Sequence, residues 1–248
     1  MQLSGECFRE QKGRSTQRLV INQEAYFIKQ HRGVGWKEIF KNLIQLKLPV
    51  LSAKKEWLAL QKLQALSILT PRVRAYACRG WNPARLQSYL VMEEIKPSIS
   101  LEDFCRHWKT EPPPFSLKLA LIRKLAHIAK IMHENGIHHR DFYLCHFLLD
   151  PQSLSTKQTT SLQETLKLYL IDLHRAGRHH SLTSRWVVKD LAGLYFSSRE
   201  QGLSKRDYWR FIKCYRQQAL RDIIMKEKKF WRQVTRRGEK LYHAHALR

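Results

Sequence analysis

Residues 138–150 read HHRDFYLCHFLLD, and residues 166–177 read LKLYLIDLHRAG. The first stretch sets a His-Arg-Asp tripeptide just ahead of a short apolar strand. The second closes an apolar strand with an aspartate. Two carboxylates so placed match the layout of a phosphoryl-transfer centre, where one Asp accepts the proton of an attacking hydroxyl and the other holds Mg²⁺ on nucleotide phosphates. Asp141 is then the candidate base, Arg140 its structural cation and Asp172 the metal aspartate, with His139 packed beneath the loop. Five residues past Asp141, where protein kinases place a metal-binding Asn, stands His146. Imidazole can ligate Mg²⁺, but this hard ion prefers oxygen donors, so His146 serves either the metal or the phosphates and the loop. A zinc cluster of His138, His139 and His146 lacks a fourth ligand at metal spacing.

Outward from this stretch, the pattern supplies the remaining parts. Residues 6–31 alternate as strands: ECFRE and QRLVI flank a polar turn, QKGRST, and a second turn leads into AYFIKQH. Lys29 on the third strand is either an ordinary edge lysine or the cation that pairs with the α and β phosphates of a nucleotide. Gly13 is the one glycine available for a phosphate-covering loop. Residues 32–50 read as an extra helix, succeeded by a helix over 52–67 with Ser52 as N-cap. Glu56 falls in the early turns of that helix, as a helix-dipole charge or as the partner of Lys29. The strand SYLVMEEI (88–95) passes from Met92 into an acidic connector at Glu94, as an interlobe hinge facing an adenine edge would.

After the proline run EPPPF, a helix from 116 to 135 carries Leu117, Leu121, Leu125, Ile128 and Met132 on one stripe and stops at Asn135-Gly136. Residues 151–165 read as an exposed hairpin loop between two short strands, and the chain from about 186 reads as helical. Asp190 is expected at the start of a helix, either as an N-terminal helix charge or accepting hydrogen bonds from the backbone of the His-Arg-Asp loop. Only 18 positions separate Asp172 from Asp190. That span is too short for a protein-substrate platform and favours a small molecule or glycan acceptor.

Composition limits the alternatives. The 248 residues are 43% hydrophobic with seven Trp, which excludes disorder, and no apolar run approaches the roughly 20 residues that span a bilayer. The start of the chain carries no signal-peptide core. Five scattered cysteines without a CxxC pair suit reduced thiols rather than a disulfide framework. The net charge of +24, with 15 Lys/Arg against 5 Asp/Glu after residue 198, points to a polyanionic partner: nucleic acid, an anionic membrane face or a phosphorylated substrate. Residues 220–233 (LRDIIMKEKKFWRQ) mix apolar and basic side chains, so this helix either lies in a membrane interface or packs on the rest of the protein.

Taken together, GVGWKEIFKN, LPVLSAKKEW, NPARLQSYLVMEE, SLEDFC, HHRDFYLCHFLLD, IDLHRA and KDLAGLYFS resemble the lipopolysaccharide core heptose(I) kinase family. The resemblance implies an α+β, bilobal, protein-kinase-like fold, with a small β-rich N-lobe (1–95, the nucleotide-phosphate side) and a larger, mainly helical C-lobe (96–248, with the catalytic loop and a basic helical tail). It implies ATP- and Mg²⁺-dependent phosphorylation of O-4 of heptose I, in the cytoplasm at the inner face of the inner membrane. Asp141 stands in the family's His-Arg-Asp, and Lys29, Glu56 and Asp172 match its strand lysine, helix glutamate and metal aspartate. Expected partners are the heptose–Kdo–lipid A inner core, the anionic inner-membrane surface and acyl carrier protein, with no specific nucleic acid. Two other readings stand beside it: a kinase of another inner-core sugar (heptose II or Kdo), and a non-catalytic basic binding protein on a kinase-like fold. Bulky Phe27, two residues before Lys29, departs from protein kinases, as does Leu-His after Asp172.

Overall fold

A computed structural model describes residues 6–11, 13–44, 51–154 and 162–246. The chain divides into two compact units. One comprises Met1–Ala65, Thr70–Ile95 and Asp172–Arg175; the other comprises Leu66–Leu69, Lys96–Ile171 and Ala176–Arg248.

The first unit is built on an antiparallel sheet of β1 (Glu6–Gln11), β2 (Arg14–Ile21), β3 (Glu24–Arg32), β4 (Val73–Arg79) and β5 (Gln87–Glu93), in the order β1-β2-β3-β5-β4. The first turn is tighter than the polar run QKGRST suggests, because Arg14, Ser15 and Thr16 already pair with β1 and β3. The second turn places Asn22 and Gln23 both at positive φ, the two-residue geometry whose twist matches the flanking strands. The region expected to hold an extra helix carries α1 (Gly35–Ile44), while residues 45–50 lie outside the described residues.

Helix α2 (Lys54–Ala65) starts two residues later than its predicted cap. Ser52 Oγ accepts from the Lys54 amide at 3.3 Å, and Ser88 of β5 accepts from the Ala53 amide at 2.9 Å. Ala59, Leu60 and Leu63 are buried, each leucine contributing about 1.5–3 kcal/mol, and the Trp57 ring stacks 4.4 Å from Tyr76 of β4. A 3₁₀ turn, Leu173–Arg175, packs on α2 through the fully buried Leu173. This contact brings Asp172 into the first unit.

The second unit is mainly helical. Two small sheets, β6 (Ile99–Ser100)–β8 (Phe147–Leu149)–β9 (Leu168–Leu170) and β7 (Ile137–His138)–β10 (Gly177–Arg178), sit among α3 (Leu101–Phe104), α4 (Phe115–Glu134), α5 (Leu162–Thr165), α6 (Ser184–Ser198), α7 (Lys205–Arg216) and α8 (Leu220–Ala246). The predicted hairpin is present, Phe147 pairing with Leu170, but its connection carries a 3₁₀ turn at Pro151–Leu154 and the short α5. The middle of that loop, 155–161, lies outside the described residues.

Helix α4 buries Leu121, Leu125, Ile128 and Met132 of its predicted stripe and leaves Leu117 half-buried. It ends at Gly136 (φ 72°), where a Cβ would overlap the His179 carbonyl oxygen, so no other residue fits. Helix α7 opens with a capping box in which Ser204 and Asp207 satisfy each other's backbone amides. Helix α8 runs beyond its predicted end at 233 and bends at Glu227 (φ −116°, ψ 15°), whose carboxylate accepts from Arg216 Nε at 2.7 Å and Trp231 Nε1 at 3.1 Å. It buries Ile223, Val234 and Gly238 and packs on α6 and α7, so the packing alternative describes this side of the helix. Among the described residues no helix is long and apolar enough to cross a membrane.

Candidate active site

In the first unit, β-strand alternation sends Phe27, Lys29 and His31 to one side of β3 and buries Ile28 on the other. Lys29 Nζ donates to Glu56 Oε1 at 2.6 Å and to Asp172 Oδ1 at 3.1 Å. Burial works against the charge on Lys29, but the Glu56 and Asp172 carboxylates outweigh it and hold its pKa above the ordinary value. Glu56 is only 2% exposed, so this ion pair is desolvated and the lysine is fixed in place. Asp172 adopts left-handed backbone (φ 60°), unusual for a non-glycine residue. Burial would raise its pKa. The hydrogen bond from His174 Nδ1 (2.7 Å) and the Lys29 charge overcome that and hold the carboxyl well below the usual carboxylate range.

Two histidines of this group have no role in the sequence pattern. His174 is visible there only as the residue that replaces glycine after Asp-Leu. His31 could have been found from its i+2 spacing to Lys29. It is buried, and burial with the neighbouring Arg14, Lys29 and His174 lowers its pKa to about 4.

Other predicted positions of this unit have structural partners. Gly13 (φ 75°) packs where a Cβ would overlap the Gly33 carbonyl oxygen, and its own carbonyl accepts from the Arg32 amide at 2.8 Å. Met92 is buried in β5 across from Phe27. Glu94 takes a two-pronged ion pair from Arg18 (3.0 and 2.9 Å), and its amide donates to the Ala25 carbonyl at 2.8 Å.

In the second unit the His-Arg-Asp loop leaves β7 with Arg140 at φ 75°. Asp190 braces it. Its carboxylate, fully buried, accepts from the amides of His139 (2.6 Å) and Arg140 (2.8 Å). Asp190 lies in the interior of α6 rather than at a helix start, because the helix already begins at Ser184. Behind it His133 Nε2 lies 3.4 Å from the carboxylate, and Tyr215 Oη lies 2.8 Å from His133 Nδ1. Burial alone would raise the Asp190 pKa; the His133 contact and the His139 amide keep it lowered.

The three histidines of the loop take separate partners rather than one metal. His138 stacks on Trp186 at 4.2 Å; His139, fully buried as expected, donates from Nε2 to the Ile171 carbonyl at 2.9 Å. His146 Nδ1 lies 2.6 Å from the Asp141 carbonyl oxygen. A carbonyl only accepts, so Nδ1 donates the proton of this bond. The same carbonyl accepts from the Tyr143 amide at 3.0 Å, which tightens the turn after Asp141. Arg140 reaches over the Trp186 ring, 5.3 Å from its centroid.

This combination of a buried lysine–glutamate–aspartate set and a carboxylate-braced His-Arg-Asp loop has clear relatives. The model of the lipopolysaccharide kinase (Kdo/WaaP) family matches residues 1–215. The chain is 43% identical over 240 residues to the lipopolysaccharide core heptose(I) kinase WaaP of Pseudomonas aeruginosa, covering 97% of this chain and 87% of that protein. It is 42% identical over 239 residues to the protein of the same name from Escherichia coli, covering 96% and 88%. Among solved structures it superposes on WaaP in complex with acyl carrier protein with a TM-score of 0.80 at 38% identity, covering 97% of this chain and 90% of that one. With the family matched over most of its length and these relatives alike along nearly all of it, the chain is a kinase and belongs to the lipopolysaccharide kinase (Kdo/WaaP) family.

Proposed function

We propose that this protein transfers the γ-phosphoryl group of ATP to O-4 of heptose I in the lipopolysaccharide inner core. The observation that carries this reading is Lys29, fixed at 2.6 Å from Glu56 and 3.1 Å from Asp172. A lysine so fixed is suited to the α and β phosphates. The names of the relatives support heptose I as acceptor, and the short span from Asp172 to Asp190 supports a sugar over a protein.

In this reading residues 1–95 form the nucleotide-phosphate side and residues 96–248 carry the catalytic loop. Asp141 accepts the proton of the sugar hydroxyl, while Asp190 keeps the loop amides, and with them Arg140, in place. Asp172, an ionised hard oxygen donor, fits Mg²⁺; bound there, the ion would neutralise charge on the phosphates. His146 is a poorer fit for that ion, and its bond to the Asp141 carbonyl supports a role in shaping the loop instead.

The +24 charge suits the anionic core and a peripheral position on the inner membrane. It also suits an acidic acyl carrier protein, the partner named for the solved relative. In the second unit an apolar cavity of about 130 Å³, lined by Leu101, Cys105, Leu121, Leu125, Leu191 and Trp231 among others, is a candidate seat for part of an acyl chain.

The test is transfer from γ-labelled ATP to dephosphorylated core, with the product mapped sugar by sugar. Label on heptose I, lost in Asp141→Ala while the melting temperature is kept, is the expected result. An Asp141→Ala protein with more than a few per cent of wild-type activity overturns the base assignment, and label on heptose II or Kdo moves the acceptor.

A further inference from the structure

Helix α1 turns an apolar stripe outward. Trp36, Phe40, Leu43 and Ile44 recur at helical spacing, with Phe40 57% and Ile44 84% exposed and the Trp36 and Phe40 rings 5.9 Å apart. The neighbouring Ile39 is buried and anchors the helix, so the stripe is not needed to hold α1 in place. Lys37 and Lys41, both exposed, run along its edge. The start of the helix is tied to the β4–β5 turn: the Gly35 amide donates to the Ala84 carbonyl at 3.0 Å, and a Cβ on Gly33 would lie 2.6 Å from that same oxygen. This turn carries Trp81, 97% exposed, between the exposed Arg79 and Arg85.

We infer that α1 and the β4–β5 turn form one membrane-docking face, which seats its apolar side chains in the headgroup layer of a bilayer containing anionic phospholipid. Three observations favour a bilayer. The side chains stand on a convex helix rather than in a groove. Two tryptophans, the residue that prefers the water–hydrocarbon boundary, are among them, and lysines and arginines fringe the patch where their stems can lie along it. Helix α8, the basic amphipathic helix that the sequence offers for this role, spends Ile223 and Val234 on packing and leaves Ile224 and Met225 outward. The face is read from exposure and charge alone, and its test needs no kinase activity.

The full chain is sedimented with phosphatidylcholine vesicles, with and without about one-third phosphatidylglycerol. Phe40→Glu/Leu43→Glu is expected to lower the partition coefficient on the anionic vesicles about tenfold or more, with an unchanged melting temperature because both positions are exposed. Lys37→Glu/Lys41→Glu should remove mainly the phosphatidylglycerol-dependent part, and Met225→Glu should bind as wild type. Wild-type binding by the Phe40/Leu43 variant overturns the proposal, as does a loss confined to Met225→Glu. It also falls if the same variant leaves vesicle binding intact but abolishes a dimer seen by light scattering, or capture of an acidic protein such as acyl carrier protein.

Discussion

At the scale of single residues, the site is a matter of which charge is compensated by which. Glu56 is buried, and its Oε2 has no hydrogen-bond partner among the described residues, so Lys29 neutralises a carboxylate that water cannot reach. Lys29→Met should therefore cost stability as well as nucleotide binding, since breaking a buried pair costs about 3–5 kcal/mol. Lys29→Met/Glu56→Gln removes the stranded charge, and most of the lost stability should return while phosphate transfer stays absent. Urea denaturation of both variants separates the roles. If the single variant is as stable as wild type, the Lys29–Glu56 pair does not hold the first unit together. The grouping of Lys29, Glu56 and Asp172 is legible in the sequence because each sits beside a local pattern that announces it. His174 and the His133–Tyr215 support of Asp190 are not, because their partners are set by packing; His31 is legible only through its i+2 spacing to Lys29 on β3.

At the scale of elements, the periodic helices are legible in the sequence and the ambiguous ones are not. The stripe of α4 and the glycine that stops it are both visible, and α4 runs within a residue of its predicted span. Strand β4 escapes assignment because most of its residues are exposed, which erases the alternation that marks a strand. Helix α6 gives no start signal, since Thr183 makes no side-chain cap, and Asp190, a charge near the expected start, imitates one. Helix α8 continues to Ala246, well past its expected end at 233. Gly238 does not end the helix; it lets α8 approach α6 closely. A Cβ there would overlap the Tyr195 ring and lie 3.1 Å from the Ala192 carbonyl oxygen. Tyr195 cannot easily move aside, because its hydroxyl donates to Glu239 at 2.6 Å and its ring packs edge-on against Tyr208. Gly238→Ala in a free helix would stabilise by about 1 kcal/mol. Here overpacking should reverse the sign and destabilise by about 1–3 kcal/mol. A lower urea midpoint is the expected outcome; a higher one would mean that α6 and α8 are not packed as described.

At the scale of the whole molecule, the two units share a sensitivity to acid. Each contains a buried histidine with a pKa of about 4: His31, through burial and then Arg14, Lys29 and His174, and His138, where burial outweighs the opposing pull of Asp190 and is joined by His179, Arg140 and Lys189. Unfolding returns both to about 6.5, so the unfolded chain binds more protons between pH 6.5 and 4. Their contribution is complete above pH 6.5 and is lost as the pH falls toward 4, at up to about 1.4 kcal/mol per pH unit for each histidine. The lowered carboxyls of Asp172 and Asp190 act in another window. Their contribution is held above pH 3.8 and is lost only below it. A competing source of acid sensitivity is self-repulsion, because protonating exposed histidines adds charge to a chain already at +24. Salt separates the two, since about 0.5 M screens surface repulsion beyond a few ångströms but leaves the burial of an imidazole untouched. Urea denaturation at pH 7, 6 and 5 in high salt should still show stability falling with pH. His31→Gln/His138→Gln should flatten that slope even if it lowers stability at pH 7. A slope that vanishes in salt, or that survives the double substitution unchanged, would assign the acid sensitivity to net charge rather than to the two buried rings.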